Sequence, residues 1–111
     1  MIVREFWVVE GQQRDFERVF RADGTWAEML RQSEDYLGTA FRLETEVQAR
    51  YLIFDYWRSH WSFEVFRSKH QQELKDFSQL VLGQDLVRRE VFRGSFYEDD
   101  PGSEEGTDVV A

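Results

Sequence analysis

The stretch "YLIFDYWRSHWSFEVF", residues 51–66, decides the fold and holds seven aromatic side chains. Its pattern changes halfway. β-Branched and aromatic residues over 50–57 predict a strand. Ser59 fits an N-cap, and the apolar positions then recur at steps of three and four, which predicts one long helix ending at Gly83. The apolar stripe of that helix comprises Phe63, Phe66, His70, Leu74, Phe77 and Val81.

The remaining chain predicts three further strands, over 2–9, 36–45 and 85–97. An amphipathic helix lies between the first two, with its apolar stripe on Phe16, Val19 and Phe20. The resulting order is strand, helix, strand, strand, helix, strand. It predicts an α+β, ferredoxin-like βαββαβ fold with a four-stranded antiparallel sheet and the helices on one face.

A glycine divides the first helical region. Gly24 interrupts the pattern, and a hydroxyl at Thr25 with an acid at Glu28 matches the capping-box spacing. We therefore expect a second helical segment that starts at a Thr25 cap and runs to about Gln32.

Composition limits the class of protein. Cysteine is absent from the sequence, which excludes disulfides and thiolate chemistry and fits a cytoplasmic protein. No apolar run approaches the roughly 20 residues of a membrane helix, so no membrane partner is expected. The N-terminus lacks the layout of a signal peptide.

The net charge of −8 is unevenly distributed. Residues 98–111 carry six acids and no base, which predicts a flexible acidic tail after a single domain over 1–97. The domain itself has 16 acids against 14 bases. Such a near-neutral surface argues against nucleic-acid binding.

Both faces of the strands over 2–9 and 50–57 carry large apolar groups, although the helices can cover only one face. Left exposed, the group Trp7, Val9, Tyr51 and Ile53 would form a patch of roughly several hundred Å². At about 25 cal/mol per Å², covering it is worth several kcal/mol. A second copy related by a two-fold axis is the simplest cover, which predicts a homodimer through the sheet face.

The assembled motifs resemble those of antibiotic biosynthesis monooxygenase (ABM)-type proteins of the dimeric α+β barrel superfamily. The matching pieces span about 2–96 and are "FWVVEGQQRDFERVF", "GTWAEML", "YLGTAFRLE", "RYLIFDYWRSHWSFEVFRS" and "VFRGSF". The resemblance implies the fold and the dimer, whereas function on this fold varies.

The resemblance offers two chemistries. Haem-degrading members use an Asn, a Trp and a His, and their positions hold Arg4, Phe66 and Asp76 here, which argues against haem degradation. The other chemistry is oxygenation of a phenol- or quinol-like aromatic without a cofactor. It needs an apolar cavity, an acid–base group and a cation or donor for the substrate anion.

Arg4 and His70 are the candidate catalytic residues. Arg4 would act as an anion clamp if its strand face meets the helices, and its alternative is a snorkelling position at the strand's edge. Histidine is the side chain suited to acid–base work near neutral pH, so His70 could act as a base or ligand, and its alternative is a half-buried structural histidine. Asp55 is interpreted as a structural acid that pairs with an Arg or a Trp N–H across the dimer, for instance Arg93 or Arg42.

Five aromatic residues are candidate substrate-binding residues, although core packing is the usual role of such side chains. They are Trp26, Tyr36, Trp57, Trp61 and Phe66. The pairs His60–Glu64 and His70–Glu73 have metal-compatible spacing, but two ligands are too few, so no metal site is predicted.

The sequence thus favours a cofactor-independent monooxygenase acting on a small aromatic molecule. The alternative is a non-catalytic ligand-binding or stress-associated homodimer, and a barrel used only for assembly is a third possibility.

Overall fold

The structure is a computed structural model that describes residues 1–44, 46, 49–83 and 85–97. The acidic segment 98–111 lies outside the described residues, so the tail remains a prediction.

The chain forms one antiparallel sheet with helices on one of its faces. The strand order is β2-β3-β1-β4, and every neighbouring pair is antiparallel, which confirms the predicted α+β, ferredoxin-like arrangement. The elements are β1 (Ile2–Val8), α1 (Gln13–Phe20), α2 (Thr25–Leu30), β2 (Tyr36–Leu43), β3 (Arg50–Trp57), α3 (His60–Lys69), α4 (Gln71–Gly83) and β4 (Val87–Ser95). No helix in the described part of the chain is long and apolar enough to cross a membrane.

Alternation along the two central strands separates the helix-facing side from the outer face. Asp55, Ile53 and Tyr51 of β3 pair with the even-numbered residues of β1, and all three are fully buried beneath the helices. Tyr51 and Ile53 therefore do not belong to the open patch from which the dimer was predicted. The outer face instead carries Val3, Glu5 and Trp7 of β1 beside Leu52 and Phe54 of β3.

The outer face contains an ion cluster that is buried by its own neighbours. Glu5 is only 1% exposed. Its carboxylate accepts hydrogen bonds from Trp7 Nε1 at 2.6 Å, Arg50 Nε at 2.8 Å and Arg93 Nε at 2.7 Å. The bonds from Arg50, with those from Arg93 and Trp7, outweigh burial and lower the pKa of Glu5 to about 2.

The predicted helix caps had different outcomes. Ser59 is confirmed as the N-cap of α3, because its side chain accepts a hydrogen bond from the Ser62 N–H. The Thr25 capping box is wrong, since Gly24 is the N-cap of α2 and Thr25 is the first helical residue. A Cβ at Gly24 would lie 2.3 Å from the Val19 carbonyl oxygen, so only glycine fits this close turn.

The predicted long helix is divided in two at His70. This residue has φ −115° and ψ 32°, outside helical geometry, and it caps α3 by donating its N–H to the Phe66 carbonyl. Helix α4 begins at the next residue, and its apolar stripe continues along the same sheet face through Leu74, Phe77 and Val81. Because the hydrophobic period continues across His70, the sequence pattern does not reveal the break in the helix.

Candidate functional site

A cavity of about 520 Å³ lies between the sheet and helices α1 to α4, within the roughly 300–1,000 Å³ common for small-molecule sites. Eight of its fourteen lining side chains are apolar or aromatic, and the other six are polar or charged. It is lined by Arg4, Phe6, Phe20, Trp26, Phe63, Arg67, Gln71, Leu74, Lys75, Phe77, Ser78, Val81, Glu90 and Phe92.

The inner end of the cavity is an aromatic cluster. Trp26 lies 5.7 Å from Phe20 and 5.1 Å from Phe77 between ring centroids, and Phe6 lies 5.1 Å from Phe20. These tilted contacts hold the rings in fixed orientations. The inner end of the cavity is therefore an apolar, aromatic surface.

Arg4 places a cation in this apolar wall. It projects from the helix-facing side of β1, and its side chain is 14% exposed, so it does not snorkel at the strand's edge. The guanidinium carbon lies 4.6 Å from the centroid of the Trp26 ring, and Nη1 lies 3.4 Å from Asp55 Oδ2. The remaining N–H groups of a guanidinium can donate to an anion.

Asp55 is a buried carboxylate with several partners. Its Oδ1 accepts hydrogen bonds from Trp26 Nε1 at 2.9 Å and from the Thr39 hydroxyl at 2.7 Å. The Tyr36 and Thr39 hydroxyls are hydrogen-bonded at 2.5 Å, and Tyr36 is the donor because Thr39 gives its hydrogen to Asp55. Burial is the main cause that raises the pKa of Tyr36.

The partners of Asp55 are of the expected types, an Arg and a Trp N–H, but they are not the residues expected and do not lie across a dimer. Asp55 pairs with Arg4 and Trp26 of its own chain. Arg93 binds Glu5 instead, and Arg42 donates to the Phe41 carbonyl. The acid therefore positions two residues of the cavity wall, Arg4 and Trp26.

His70 lies at the junction of α3 and α4 and is not among the cavity-lining residues. Its Nδ1 lies 2.5 Å from Glu73 Oε1, and its ring stacks on Phe66 with centroids 4.3 Å apart. The hydrogen bond from His70 lowers the pKa of the Glu73 carboxyl. The position matches the structural alternative for this histidine.

Among the five aromatic residues proposed for binding, Trp26 lines the cavity. Trp57 and Phe66 pack against each other in the core with ring centroids 5.2 Å apart, and the Tyr36 ring meets Trp57 edge-on at 5.5 Å. Trp61 is 73% exposed. It precedes Phe63 by two residues, about 200° around a helix, so it points away from the stripe that packs on the sheet.

The cavity mouth was missed by the sequence analysis. Arg67, Gln71, Lys75 and Ser78 line it from α3 and α4, and Glu90 lines it from β4. Gln71, Lys75 and Ser78 follow one another at steps of four and three on one face of α4, and Arg67 lies four residues before Gln71, in α3. That spacing is the signal that could have identified them.

Within the described ranges, no three His, Asp or Glu side chains are grouped to hold a metal ion.

Comparisons with known proteins identify a fold and nothing finer. No family model matches the chain, and no curated protein is similar to it in sequence. The fold is similar to that in the crystal structure of PA3566 from Pseudomonas aeruginosa, with a TM-score of 0.55 and 13% identity. The similarity covers 85% of this chain and 92% of that one. At this identity the likeness establishes the α+β fold alone.

Proposed function

We propose that this chain is an ABM-type, cofactor-independent monooxygenase that oxidises a small phenol- or quinol-like molecule in the helix–sheet cavity. The observation that carries the proposal is Arg4, a cation held in an aromatic wall between the Trp26 ring and Asp55. A cation there stabilises a phenolate and raises the fraction of substrate that can donate electrons. The sequence resemblance to ABM-type proteins supports the same chemistry.

The reaction balances without a cofactor. The phenolate gives one electron to O₂, and the resulting radicals combine to form a carbon–oxygen bond at the para carbon. Loss of the C–H proton then breaks the O–O bond, so one phenol and one O₂ give one quinone and one water. Arg4 would hold the phenolate oxygen, and the aromatic wall would exclude bulk water.

A non-catalytic ligand-binding dimer is the second candidate function. It is favoured because His70, the candidate base, does not line the cavity. His70 is instead hydrogen-bonded to Glu73 and stacked on Phe66. A binding protein would use the same wall of Arg4 and Trp26 but would need no base at the substrate.

The test of catalysis is oxygen uptake with a panel of aromatic quinols. Arg4→Met should lower kcat/KM by about tenfold or more, because the phenolate loses its charged donor. Arg4→Lys should retain part of the activity. The control is Arg18→Met, since Arg18 is exposed and, among the described residues, pairs only with Asp15. Circular dichroism checks that each variant is folded.

The outcomes separate the two candidate functions. Uptake that Arg4→Met leaves unchanged contradicts the role of Arg4. Calorimetric binding of quinols without any oxygen uptake would replace the monooxygenase with the ligand-binding alternative.

We also propose that the protein is a homodimer through the outer face of the sheet. Phe54 and Leu52 are partly exposed there, and Tyr56 is 40% exposed, although the helices cover the opposite face. Covering such apolar side chains stabilises an assembly by about 25 cal/mol per Å². Two-fold symmetry places the same face on both partners.

Phe54→Glu should convert the dimer to a monomer at micromolar concentration, because a charge would be buried at the centre of the interface. Sedimentation equilibrium measures the mass. The control is Leu80→Glu, which adds the same charge at an exposed site on α4. A wild-type protein that sediments as a monomer would refute the dimer.

A further inference from the structure

Four hydrogen-bond donors stand at the mouth of the cavity and have no part in the proposed oxidation. They lie on α3 and α4 and comprise Arg67, Gln71, Lys75 and Ser78. A guanidinium, an amide, an ammonium and a hydroxyl can all donate to one anionic group. A phenol hydroxyl that binds Arg4 does not need these four additional donors.

The side chains that line the cavity are buried at its inner end and exposed to solvent at its mouth. Phe20 and Trp26 at the inner end are 2% and 4% exposed. At the mouth, the Arg67 side chain is 58% exposed and Phe92 is 57% exposed. A carboxylate on a ligand would stay at the wet end, because burying an ion costs several kcal/mol.

Lys75 is the cation at the mouth that is most available to bind a ligand. Arg67 already donates to Glu64 at 2.8 Å, and Arg4 pairs with Asp55. Lys75 makes no ion pair with any other described residue. Glu90 is the acid in the lining, and it lies on β4, across the cavity from α4.

We propose that the ligand is an aromatic carboxylate, with its ring against Trp26 and its carboxylate at the mouth on Lys75, assisted by Arg67. This inference rests on the proposed function, since it assigns a substrate class to the same cavity. The phenol-like end would reach Arg4, and the acid end would keep its solvent contact. The aromatic wall would contribute affinity, and Lys75 would contribute selectivity for acids.

The test is isothermal titration calorimetry with two probes that share a ring system, hydroxynaphthoate and naphthol. We expect hydroxynaphthoate to bind about tenfold more tightly, as one charge-assisted hydrogen bond allows. Lys75→Gln should remove this advantage and leave naphthol binding unchanged. Lys69→Gln is the matched control, because Lys69 is the only other lysine in the sequence and does not line the cavity.

The results distinguish this inference from the function on which it rests. Equal affinity for the two probes, or an advantage that survives Lys75→Gln, would overturn the carboxylate assignment and leave aromatic binding intact. Failure of both probes to bind would overturn both, because the cavity would then not accept an aromatic molecule.

Discussion

Asp55→Ala is expected to lower the free energy of unfolding by about 3–5 kcal/mol, the range for breaking a buried ion pair. Asp55 is fully buried and accepts hydrogen bonds from Trp26 and Thr39 while it faces Arg4. Truncation leaves an indole N–H and a hydroxyl without their acceptor and a largely buried guanidinium without its counter-ion. Urea denaturation monitored by circular dichroism, at fixed protein concentration, measures the loss.

Two variants make this expectation specific. Asp76→Ala, on the exposed side of α4, should change stability by less than about 0.5 kcal/mol. The double variant Arg4→Met/Asp55→Ala should be less destabilised than the sum of the single variants, because the buried cation is removed together with its partner. Additive losses would mean that Arg4 and Asp55 do not interact.

Glu5→Gln is expected to cost about 3 kcal/mol at neutral pH and to flatten the acid dependence of stability. The pKa of Glu5 in the folded protein is about 2, below its ordinary value of 4.5. Its folded-state pKa is thus depressed, so its contribution is complete above about pH 4.5 and is lost as the pH falls towards 2. The neutral amide of the variant has no such titration.

Urea midpoints between pH 5 and pH 2 measure this difference. The wild-type curve should fall more steeply than that of Glu5→Gln over this interval. Glu10→Gln, at an exposed position just beyond β1, should follow the wild-type curve. Parallel curves for the wild type and Glu5→Gln would show that the cluster with Arg50 and Arg93 does not stabilise the fold.

The fold could be predicted because local patterns determine it. Alternation in β1 and β3 and the apolar stripes of the helices define which faces meet, and Ser59 marks the start of α3 through a local hydrogen bond. The site was less predictable because its contacts are distant in sequence. Trp26 and Asp55, for example, are 29 residues apart.

The positions of His70 and Trp61 show a further limit of the sequence. A helical period predicts which residues share a stripe, but it does not reveal a break of one residue at His70. The aromatic content of the sequence also predicted a binding role for Trp61, which is mostly exposed, and did not indicate Lys75, which lines the cavity. Aromatic content alone does not distinguish core, surface and cavity wall.

The contact between Arg4, Trp26 and Asp55 has an optical consequence. The Trp26 indole has a cation over its ring and a carboxylate at its N–H, so the cavity wall itself sets the energy of its excited state. Trp61, in contrast, is surrounded largely by solvent. The ultraviolet emission of the chain thus includes a contribution from Trp26 that depends on the cavity and a contribution from Trp61 that depends on the surrounding water.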